Sequence, residues 1–574
     1  MISKKFVKRL AKHSVSLMRL YVWYRKKSRF YRYPDWAEIL AQDSELWSGV
    51  LESSRRGPKI LLATSMGSLP TGAIMDSLLA AALTLRGACV HVLLCDSFLP
   101  ACLMCEVGLI RPKDMCRKGP SGYFCKNCFS SACKMLEPLG IKVHRYSEFV
   151  TGDAFENAES ISSKIDFNRI DQYSLEGIAV GEHAMAGALR FFARGTLDGQ
   201  PYAAPILRRY FKAALLAAYA VQRLLKTHNF ECVSFINGIY VPQGIIGEIA
   251  RRERVRVVNW SVAYRKRTFI FSHNDTYHHT LMSEPGEKWE NIRMTPQLES
   301  EIINYLVSRQ RGGRDWITFL DKNVDEDLSA IAERIGGVDF SKPCIGMLTN
   351  VVWDARLHYP ANAFPDMIDW VLKTIQYFSR RPDLQLIIRI HPAEISGDMP
   401  SRQPVMKEIK KVFGELPQNI FVIKPESRIS TYRVMEQCNA VIIYGTKTGV
   451  ELTSRGIPVI VAGEAWIRNK GLTIDADSEE HYFDILDRLP FSEGMSGEQI
   501  ERARKYAYHF FFRRMIPLSQ VEPTDGEPQF RISIDGLQAL QPGKCVGLDV
   551  ICDGILKGSD FIYPAEKVQV AQAC

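Results

Sequence analysis

The stretch VIIYGTKTGVELTSRGIPVIVAG, residues 441–463, changes its pattern twice over a short length of chain. It opens with an apolar run, breaks at a glycine-rich turn, continues with helical spacing and ends in a second apolar run, PVIVAG. Such alternation of strand, turn, helix and strand is typical of α/β proteins, in which each helix crosses back so that the strands lie parallel. This stretch therefore predicts part of a parallel sheet.

The turn after the first strand has the composition of a ligand-binding loop. Gly445 and Gly449 carry no side chain, so a ligand can approach the backbone closely. Thr446 and Thr448 supply hydroxyl groups, Lys447 supplies charge, and the amides that open the helix carry a partial positive charge. This combination suits a phosphate group, although small Gly/Thr turns also serve as plain strand-to-helix connections.

Three further side chains are expected near this turn. His391 follows the apolar run LQLIIRIHP (384–392), which Pro392 ends. Arg389 lies two residues earlier, on the same face of the strand. Histidine donates hydrogen bonds or protons near neutral pH. Glu451, about one turn into the helix, is placed to accept hydrogen bonds from a ribose diol.

The rest of the chain repeats this alternation in two blocks. The first block contains the apolar runs KILLATSMGS (59–68), CVHVLLCD (89–96), CVSFING (232–238) and VRVVNW (255–260). The second block opens at CIGMLTNV (344–351) and continues to residue 463. The predicted fold class is α/β, with two doubly wound Rossmann-like domains facing across a cleft at the carboxyl ends of their strands.

Three segments of the second block resemble a known family. RIHPAE (389–394), YGTKTGVELTSRGIPVIVAG (444–463) and AWIRNKGLT (465–473) look like the carboxyl-terminal half of the capsule polysaccharide biosynthesis family. That family consists of GT-B glycosyltransferases and includes Kdo transferases, and bacterial polysialyltransferases share its His-Pro and Ser/Thr motifs. The resemblance covers roughly residues 340–515 and implies a nucleotide-sugar donor, often a CMP-sugar, with chemistry that needs no metal.

The resemblance assigns roles to individual residues. It implies that His391 contacts the donor phosphate, that Thr446 and Thr448 hold phosphate or nucleotide, and that Glu451 holds the ribose. The segment 463–473 resembles the family's glycine-tryptophan-glycine loop and contributes two residues to the cleft wall. The complete predicted donor-binding set is Arg389, His391, Gly445, Thr446, Lys447, Thr448, Gly449, Glu451, Lys470 and Gly471.

Two departures from the family pattern leave questions open. Lys447 stands where relatives usually have a small hydroxyl residue, so the identity of the donor is open. The first block has no matching acidic motif, yet an inverting transferase needs a base to deprotonate the acceptor hydroxyl. Glu182 and His183, at the start of a helix, and Asp96, at the end of a strand, are the candidates. Helix-start charge and strand-end capping are the plain alternatives.

Six of the 14 cysteines fall between residues 102 and 133. Cys102 and Cys105 form one C-x2-C pair, and Cys125 with Cys128 forms a second at a spacing typical of zinc sites. A structural zinc ion on these four thiolates is expected, with an iron–sulfur cluster as the less favoured choice and unliganded thiols as the plain alternative. In a cytosolic setting disulfides are disfavoured.

The basic residues are concentrated at the amino terminus. Residues 1–34 hold eleven of the 73 lysines and arginines and none of the 64 carboxylates, so the remaining chain is close to neutral. A nucleic-acid-binding body is therefore disfavoured. Apolar residues alternate with these cations, as in helices that lie on anionic membranes. We expect a cytoplasmic protein, peripheral on the inner face of the cell membrane, although such a helix can also pack on its own protein.

The expected organisation follows from these assignments. The boundaries are a basic amphipathic segment (1–34), an acceptor-side domain (35–285) with a cysteine-rich insertion (95–133), a helical connector (286–340), a nucleotide-sugar-binding domain (341–500), a returning helix (501–515) and an extension (516–574). The predicted function is transfer of a sugar from a nucleotide donor to a capsule or other surface-polysaccharide acceptor. A non-hydrolysing UDP-sugar epimerase and a non-catalytic scaffold in capsule assembly remain as alternatives.

Overall fold

The structure of the protein is a computed structural model that describes residues 33–311, 313–316, 325–397, 399–524, 526 and 528–568. The basic segment predicted for residues 1–34 lies outside this range except for its last two residues. The chain forms two compact units. The first comprises residues up to 192 with 197–277 and 514–563, and the second comprises residues 193–196 and 278–513 with the segment from 564 onward.

The first unit is built on a largely parallel sheet whose inner strands are buried. Its strands are β1 (Lys59–Ser65), β2 (Cys89–Leu94), β3 (Lys142–Arg145), β4 (Cys232–Ile236), β5 (Arg256–Val262) and β6 (Thr268–His273). Five strands run parallel in the order β5-β4-β1-β2-β3, and β6 pairs antiparallel with β5. Six of the seven residues of β1 are buried, as expected for a strand covered by helices on both faces.

Helices surround this sheet. They are α1 (Trp36–Ala41), α2 (Ser44–Ser54), α3 (Pro70–Thr84), α4 (Pro112–Lys118), α5 (Lys126–Leu136), α6 (Gly152–Lys164), α7 (Val180–Phe192), α8 (Ala203–Thr227) and α9 (Gln243–Arg252). Pro70 opens α3 at the position where a missing amide hydrogen matters least, and nearly every residue of α3 is buried. No helix in the described part of the chain is both long and apolar enough to cross a bilayer.

The second unit contains its own parallel sheet. Its strands are β7 (Cys344–Leu348), β8 (Gln385–Arg389), β9 (Ile420–Ile423), β10 (Ala440–Ile443), β11 (Val459–Val461) and β12 (Ile474–Asp475). They lie in the order β12-β11-β10-β7-β8-β9, and all the pairings are parallel. The core between sheet and helices is dominated by large apolar side chains such as Trp370, Ile388, Ile442 and Tyr482.

The helices of this part of the chain are mostly short. They are α10 (Tyr277–Ser283), α11 (Pro296–Arg311), α12 (Leu328–Arg334), α13 (Met367–Phe378), α14 (Ala393–Ser396), α15 (Val405–Phe413), α16 (Thr431–Met435), α17 (Thr448–Thr453), α18 (Glu479–Asp487) and α19 (Gly497–Tyr508). A π-helical turn at His509–Arg513 continues α19, and its aromatic residues are buried.

The chain then returns to the first unit. Strand β13 (Ile516–Pro517) pairs antiparallel with β6 and so extends the first sheet. A two-stranded ribbon follows, formed by β14 (Val521–Pro523) and β15 (Phe530–Ile532). Helix α20 (Val546–Lys557) comes after the ribbon in the same unit.

The observed units differ from the expected domain boundaries in several places. Residues 286–340, expected to form a connector, lie within the second unit, as do residues 193–196 and 278–285, which were expected in the acceptor-side domain. Residues 516–563, expected to form an extension, lie within the first unit. This last difference arises because β13 supplies an edge strand to the first sheet, a pairing across about 250 residues that local patterns do not reveal. The predicted α/β class with doubly wound parallel sheets is confirmed within each unit. The cleft between the units stays a prediction.

Candidate functional site

The winding of the second sheet creates a crevice at one point along its edge. From β7 the chain moves to β8 and β9 on one side, and then returns to the other side of β7 to form β10, β11 and β12. The loops that leave the carboxyl ends of β7 and β10 therefore diverge although the two strands are neighbours, with Leu348 paired to Ile443. Ligands of open α/β sheets bind at such switch points.

Two residues that follow β7 connect the predicted site residues. Thr349 accepts a hydrogen bond at Oγ1 from the backbone amide of His391, at 3.1 Å. Asn350 donates from Nδ2 to the carbonyl of Gly445, at 2.8 Å. The structure thus brings His391 and the 445–449 turn to the same sheet edge, on either side of Thr349 and Asn350. The sequence analysis missed these two residues, although their polar side chains directly follow a buried strand.

Asn350 also leaves an acceptor at the crevice. Its Oδ1 atom is buried and has no hydrogen-bond partner within the described part of the chain. Because buried polar atoms are nearly always paired, a lone buried acceptor at a switch point is a position where a ligand group or a water molecule would be held.

His391 is held as a neutral hydrogen-bond donor. Its Nδ1 atom accepts from the backbone amide of Ala393 at 3.0 Å, so the neutral ring carries its proton on Nε2. Burial, followed by the charges of Lys447 and Arg389, lowers the pKa of His391 to about 4. At neutral pH the half-buried imidazole therefore offers an Nε2–H group rather than a positive charge.

The 445–449 turn presents hydroxyl groups and one ammonium group. The Oγ1 atoms of Thr446 and Thr448 lie 3.1 Å apart, and the amide of Thr448 donates weakly to the hydroxyl of Thr446. The side chain of Lys447 is 22% exposed. Burial lowers the pKa of Lys447 to about 8. These groups are all half-buried, as a site that admits a ligand requires.

The two glycines of the turn are constrained by packing. A Cβ atom on Gly449 would lie 2.7 Å from Cδ1 of Ile443, so its small size lets α17 pack on β10. A Cβ atom on Gly445 would lie 3.1 Å from the carbonyl oxygen of Glu464. The expectation that Gly449 admits a ligand is corrected, because this residue is buried against the strand.

Arg389 does not point into the crevice. Its guanidinium donates to the carbonyls of Lys424 and Ser427 and to the hydroxyl of Thr431, at 2.5, 3.2 and 3.1 Å. The side chain is buried, and burial lowers its pKa to about 10. The predicted donor contact is corrected because these donors connect the β9–α16 loop to the sheet.

Lys470 and Gly471 also do not make the donor contacts that were predicted for them. The ammonium of Lys470 donates to the carbonyls of Met282 and Glu284, at 2.9 and 2.6 Å, and burial lowers its pKa to about 8. Gly471 lies in a left-handed conformation and lines a cavity of about 510 Å³ near the amino end of β11. Neither residue lines the switch-point crevice.

Glu451 is fully buried and its carboxylate is already engaged. One oxygen contacts the guanidinium of Arg309 and the other accepts from the hydroxyl of Tyr432. The predicted ribose contact is corrected, because a ligand has no access to a side chain with 0% exposure.

The loop after β11 contains two residues, Glu464 and Trp466, whose hydrogen bonds to the α10 histidines were not predicted from the sequence. The carboxylate of Glu464 accepts from Nε2 of His279 at 2.9 Å and from the amide of Ala361 at 3.1 Å. The indole of Trp466 donates to Nδ1 of His278 at 2.6 Å. The adjacent histidines in YHHT, at the start of α10, were the available signal.

The three candidate bases of the first unit lie in separate local environments. His183 is buried and hydrogen-bonds through Nδ1 to the carbonyl of Ile239 at 2.5 Å. Asp96 accepts from the hydroxyl of Ser147 at 2.5 Å, as a strand-end cap does. Glu182 lies half-buried in the first turn of α7. His183 is thus a loop-positioning residue rather than an accessible base.

One acidic residue of the first unit was overlooked. Asp76 lies inside the otherwise apolar helix α3 and is 4% exposed. Its Oδ2 accepts from the amide of Thr64 at 3.3 Å, whereas Oδ1 has no partner among the described residues. Burial raises the pKa of Asp76 to about 7. A lone carboxylate in the run GAIMDSLLAAALTLRG was the signal.

The cysteine pairs do not form a recognisable metal site. Cys102, Cys105, Cys125 and Cys128 are buried and free of disulfides. Hydrogen bonding to Cys105 and burial raise the pKa of Cys102, and Sγ of Cys128 accepts from the amide of Ser68 at 3.1 Å. Within the described ranges, no group of three or more histidine, cysteine or acidic side chains is arranged to hold a metal ion. The predicted zinc site and its iron–sulfur alternative are therefore not supported by this geometry.

A family comparison covers the segment that contains the crevice. Residues 352–489 match the family described as capsule polysaccharide biosynthesis protein. The resemblance predicted from RIHPAE and the 445–449 turn is confirmed over this segment. Both His391 and the turn lie inside it, and Thr349 and Asn350 lie just before it. No curated protein sequence matches the chain.

Solved structures with similar topology include a transferase and an epimerase. A KpsC β-Kdo 2,4 transferase from Thermosulfurimonas dismutans is 11% identical, covering 55% of this chain and 88% of that one, with a TM-score of 0.31. A UDP-GlcNAc 2-epimerase from Neisseria meningitidis, bound to UDP-GlcNAc, is 9% identical, covering 87% and 99%, with a TM-score of 0.26. The glycosyltransferase SnogD from Streptomyces nogalater is 12% identical, covering 79% and 96%, with a TM-score of 0.24.

Proposed function

We propose that the protein is a capsule-type glycosyltransferase that moves a sugar from a nucleotide donor to a surface-polysaccharide acceptor. The observation that carries the proposal is the meeting of His391 and the 445–449 turn at the switch point of the second sheet. The match of residues 352–489 to the capsule polysaccharide biosynthesis family supports the same function.

The donor phosphate is proposed to bind in this crevice. The Nε2–H group of His391 and the hydroxyls of Thr446 and Thr448 would donate hydrogen bonds to phosphate oxygens. Lys447 would supply the positive charge. At the reaction, the same groups would stabilise the negative charge that develops on the departing nucleotide, which is the main contribution of fixed donors to such a transfer.

The charge of the crevice favours a nucleoside monophosphate sugar. Of the basic residues expected to bind the donor, Arg389 and Lys470 donate to backbone carbonyls, whereas Lys447 lies on the turn. His391 is neutral at pH 7 because its pKa is about 4. One ammonium group with neutral donors matches the single negative charge of a CMP-sugar better than the two charges of a UDP-sugar.

A nucleotide-sugar screen tests this function. We expect CMP-sugars to raise the melting temperature of the purified protein by several degrees at saturating concentration, since ligand at 100 times Kd stabilises by about 2.7 kcal/mol. Lys447→Met should lose most of this shift. CMP-sugar turnover that depends on a glycan acceptor would support the transferase. Interconversion of a UDP-sugar without acceptor would favour the epimerase, and no response to any nucleotide would favour the scaffold.

The site of action is proposed to be the inner face of the cell membrane. The support is the cluster of eleven basic residues among alternating apolar residues in 1–34. Deleting this segment should move the protein from the membrane fraction to the soluble fraction after cell disruption. An unchanged distribution would count against the proposal.

A further inference from the structure

A buried network of charged side chains lies beneath the 445–449 turn. Glu451 has no exposed surface, and its Oε1 atom contacts Nε of Arg309 at 3.2 Å and Nζ of Lys447 at 3.9 Å. Its Oε2 atom accepts from the hydroxyl of Tyr432. A single carboxylate oxygen is therefore shared by two cations, of which Lys447 is the partly exposed one.

Arg309 is itself fixed on its other side. Its guanidinium pairs with Asp315 and donates to the hydroxyl of Tyr305 at 3.0 Å, and Tyr305 donates to Asp315 at 2.8 Å. The guanidinium also lies 5.2 Å from the ring centre of Phe511. Since Arg309 is held between two carboxylates, the Arg309–Glu451 pair is a rigid feature of the second unit.

The network contains two cations and two carboxylates, so its charge is balanced when Lys447 is protonated. The groups that face Lys447 are Glu451 on its own helix, Arg309 and Asp315 at the end of α11 and after it, and His391 after β8. Burial and then the charge of Arg309 lower the pKa of Lys447, Glu451 and then Asp315 raise it, and the net pKa is about 8. The charge of Lys447 thus depends on its neighbours.

We propose that Glu451 and Arg309 are positioning residues for Lys447: Glu451 holds the ammonium group against the turn, Arg309 fixes Glu451, and the two charges together set the pH range over which this turn binds phosphate. The proposal rests on the proposed function of the turn as a phosphate site. It gives Glu451 a role through Lys447 and not through the ribose. Lys447 and the charged network around it would give this chain's donor site a pH-dependent positive charge. A site with a small hydroxyl residue at the same position would lack that charge.

Because the two positioning residues carry opposite charges, removing them one at a time should shift the pH at which Lys447 loses its proton in opposite directions. Without the charge of Glu451, Lys447 should lose its proton at lower pH, because an attractive neighbour is gone. Without the charge of Arg309, Lys447 should keep its proton to higher pH, because a repulsive neighbour is gone. A purely structural role for the pair predicts loss of stability in both variants and no such opposite displacement.

The test is the pH dependence of CMP affinity, measured by calorimetry from pH 6 to pH 10. In the wild-type protein we expect affinity to fall as the pH rises through about 8. Glu451→Gln should move this fall to lower pH by about one unit or more, and Arg309→Gln should move it to higher pH by a similar amount. Lys447→Met should bind more weakly and without this pH dependence.

A second measurement on the wild-type protein avoids dependence on the folding of the variants. The rate at which an amine-reactive reagent acetylates Lys447, followed by mass spectrometry, should rise with a midpoint near pH 8, and CMP should protect the residue. The acetylation of Lys342, whose side chain is exposed, is followed in the same samples as the reference.

The outcomes distinguish a failure of the positioning role from a failure of the proposed function. If the wild-type protein binds CMP but the Glu451 and Arg309 variants move the pH dependence in the same direction or not at all, the positioning role is overturned. A midpoint for Lys447 above pH 10 overturns it as well. If wild-type protein binds no nucleotide at any pH, the proposed function fails, while the acetylation midpoint still decides whether the network controls Lys447.

Discussion

The two sheets have the same winding, but the polar residues at their switch points differ in burial and in hydrogen bonding. In the first unit the switch lies between β1 and β4, where the loop after β4 is closed by His183 on the Ile239 carbonyl and by Gln243 on the Thr64 carbonyl. In the second unit it lies between β7 and β10, where the 445–449 turn and His391 remain half-buried. Topology alone therefore marks two crevices, and burial distinguishes the one in which these polar residues stay partly exposed.

The histidines show the same contrast, and acid should reveal it with the largest effect. In the first unit Nδ1 of His91 lies 2.8 Å from Nε2 of His144, and the ring of His228 lies tilted against that of His144, with the ring centres 4.7 Å apart. Burial, together with the charges of neighbouring histidines and lysines, Lys142 among them, lowers the pKa of His91 to about 4 and of His144 to about 3. These rings are therefore folded in the neutral form.

The sign of the pH effect follows from these values. Below pH 6.5 these histidines become protonated in the unfolded chain but stay neutral in the folded protein. Their contribution to the free energy of unfolding is therefore fully present above pH 6.5 and decreases as the pH falls toward 4. We expect a loss on the order of 3 kcal/mol, measured by urea unfolding at pH 7, 5.5 and 4.5. Replacing His91 and His144 together by Leu should flatten this dependence.

Arg389 gives the next largest expected effect and separates stability from binding. Arg389→Met removes one hydroxyl and two carbonyl contacts from a buried site and should lower the free energy of unfolding by about 2 kcal/mol, because the acceptors lose charged donors. Nucleotide affinity measured by calorimetry on the folded variant should change little. A loss of affinity beyond tenfold at unchanged stability would return Arg389 to the donor site.

A matched pair of histidine variants tests the contrast between the crevices directly. His391→Ala removes the Nε2–H donor and should weaken CMP binding about tenfold with little effect on unfolding, since the side chain is half-buried. His183→Ala should do the reverse, lowering stability by about 1–2 kcal/mol at unchanged affinity. Calorimetry and urea unfolding of both variants check this. Equal effects of the two changes on CMP affinity would contradict the account.

The smallest expected effect belongs to a turn hydroxyl. Thr448→Val keeps the shape of the side chain and removes one hydrogen-bond donor, so CMP affinity should fall about threefold. Thr453→Val, in the same helix with its hydroxyl bonded to the carbonyl of Gly449, is the control and should leave affinity unchanged. An identical response of the two variants would show that the turn hydroxyls do not contact the nucleotide.

The sequence was informative wherever a property depends on local pattern. Alternating strand and helix patterns predicted both parallel sheets. The positions of His391 and the turn at strand ends predicted that they share a sheet edge, because parallel strands end together. Thr349, which contacts His391, and Asn350, which contacts Gly445, carried the same signal and were overlooked.

The missed features depend on distant partners. The period-two rule gives the face of Arg389 but not the carbonyls at 424 and 427 that its guanidinium reaches. The helical position of Glu451 was foreseen, whereas its partner Arg309 lies 142 residues away in the chain. The zinc site predicted from the C-x2-C spacing stays a prediction, because spacing alone does not specify the geometry of the four thiols in the folded chain.

The most direct test of the central claim is a crystal structure of the full chain with CMP. The account predicts phosphate oxygens within hydrogen-bonding distance of Nε2 of His391 and of the hydroxyls of Thr446 and Thr448, with the ammonium of Lys447 beside them. Nucleotide bound instead in the cavity lined by Gly471 and Phe491, with the 445–449 turn empty, would contradict it.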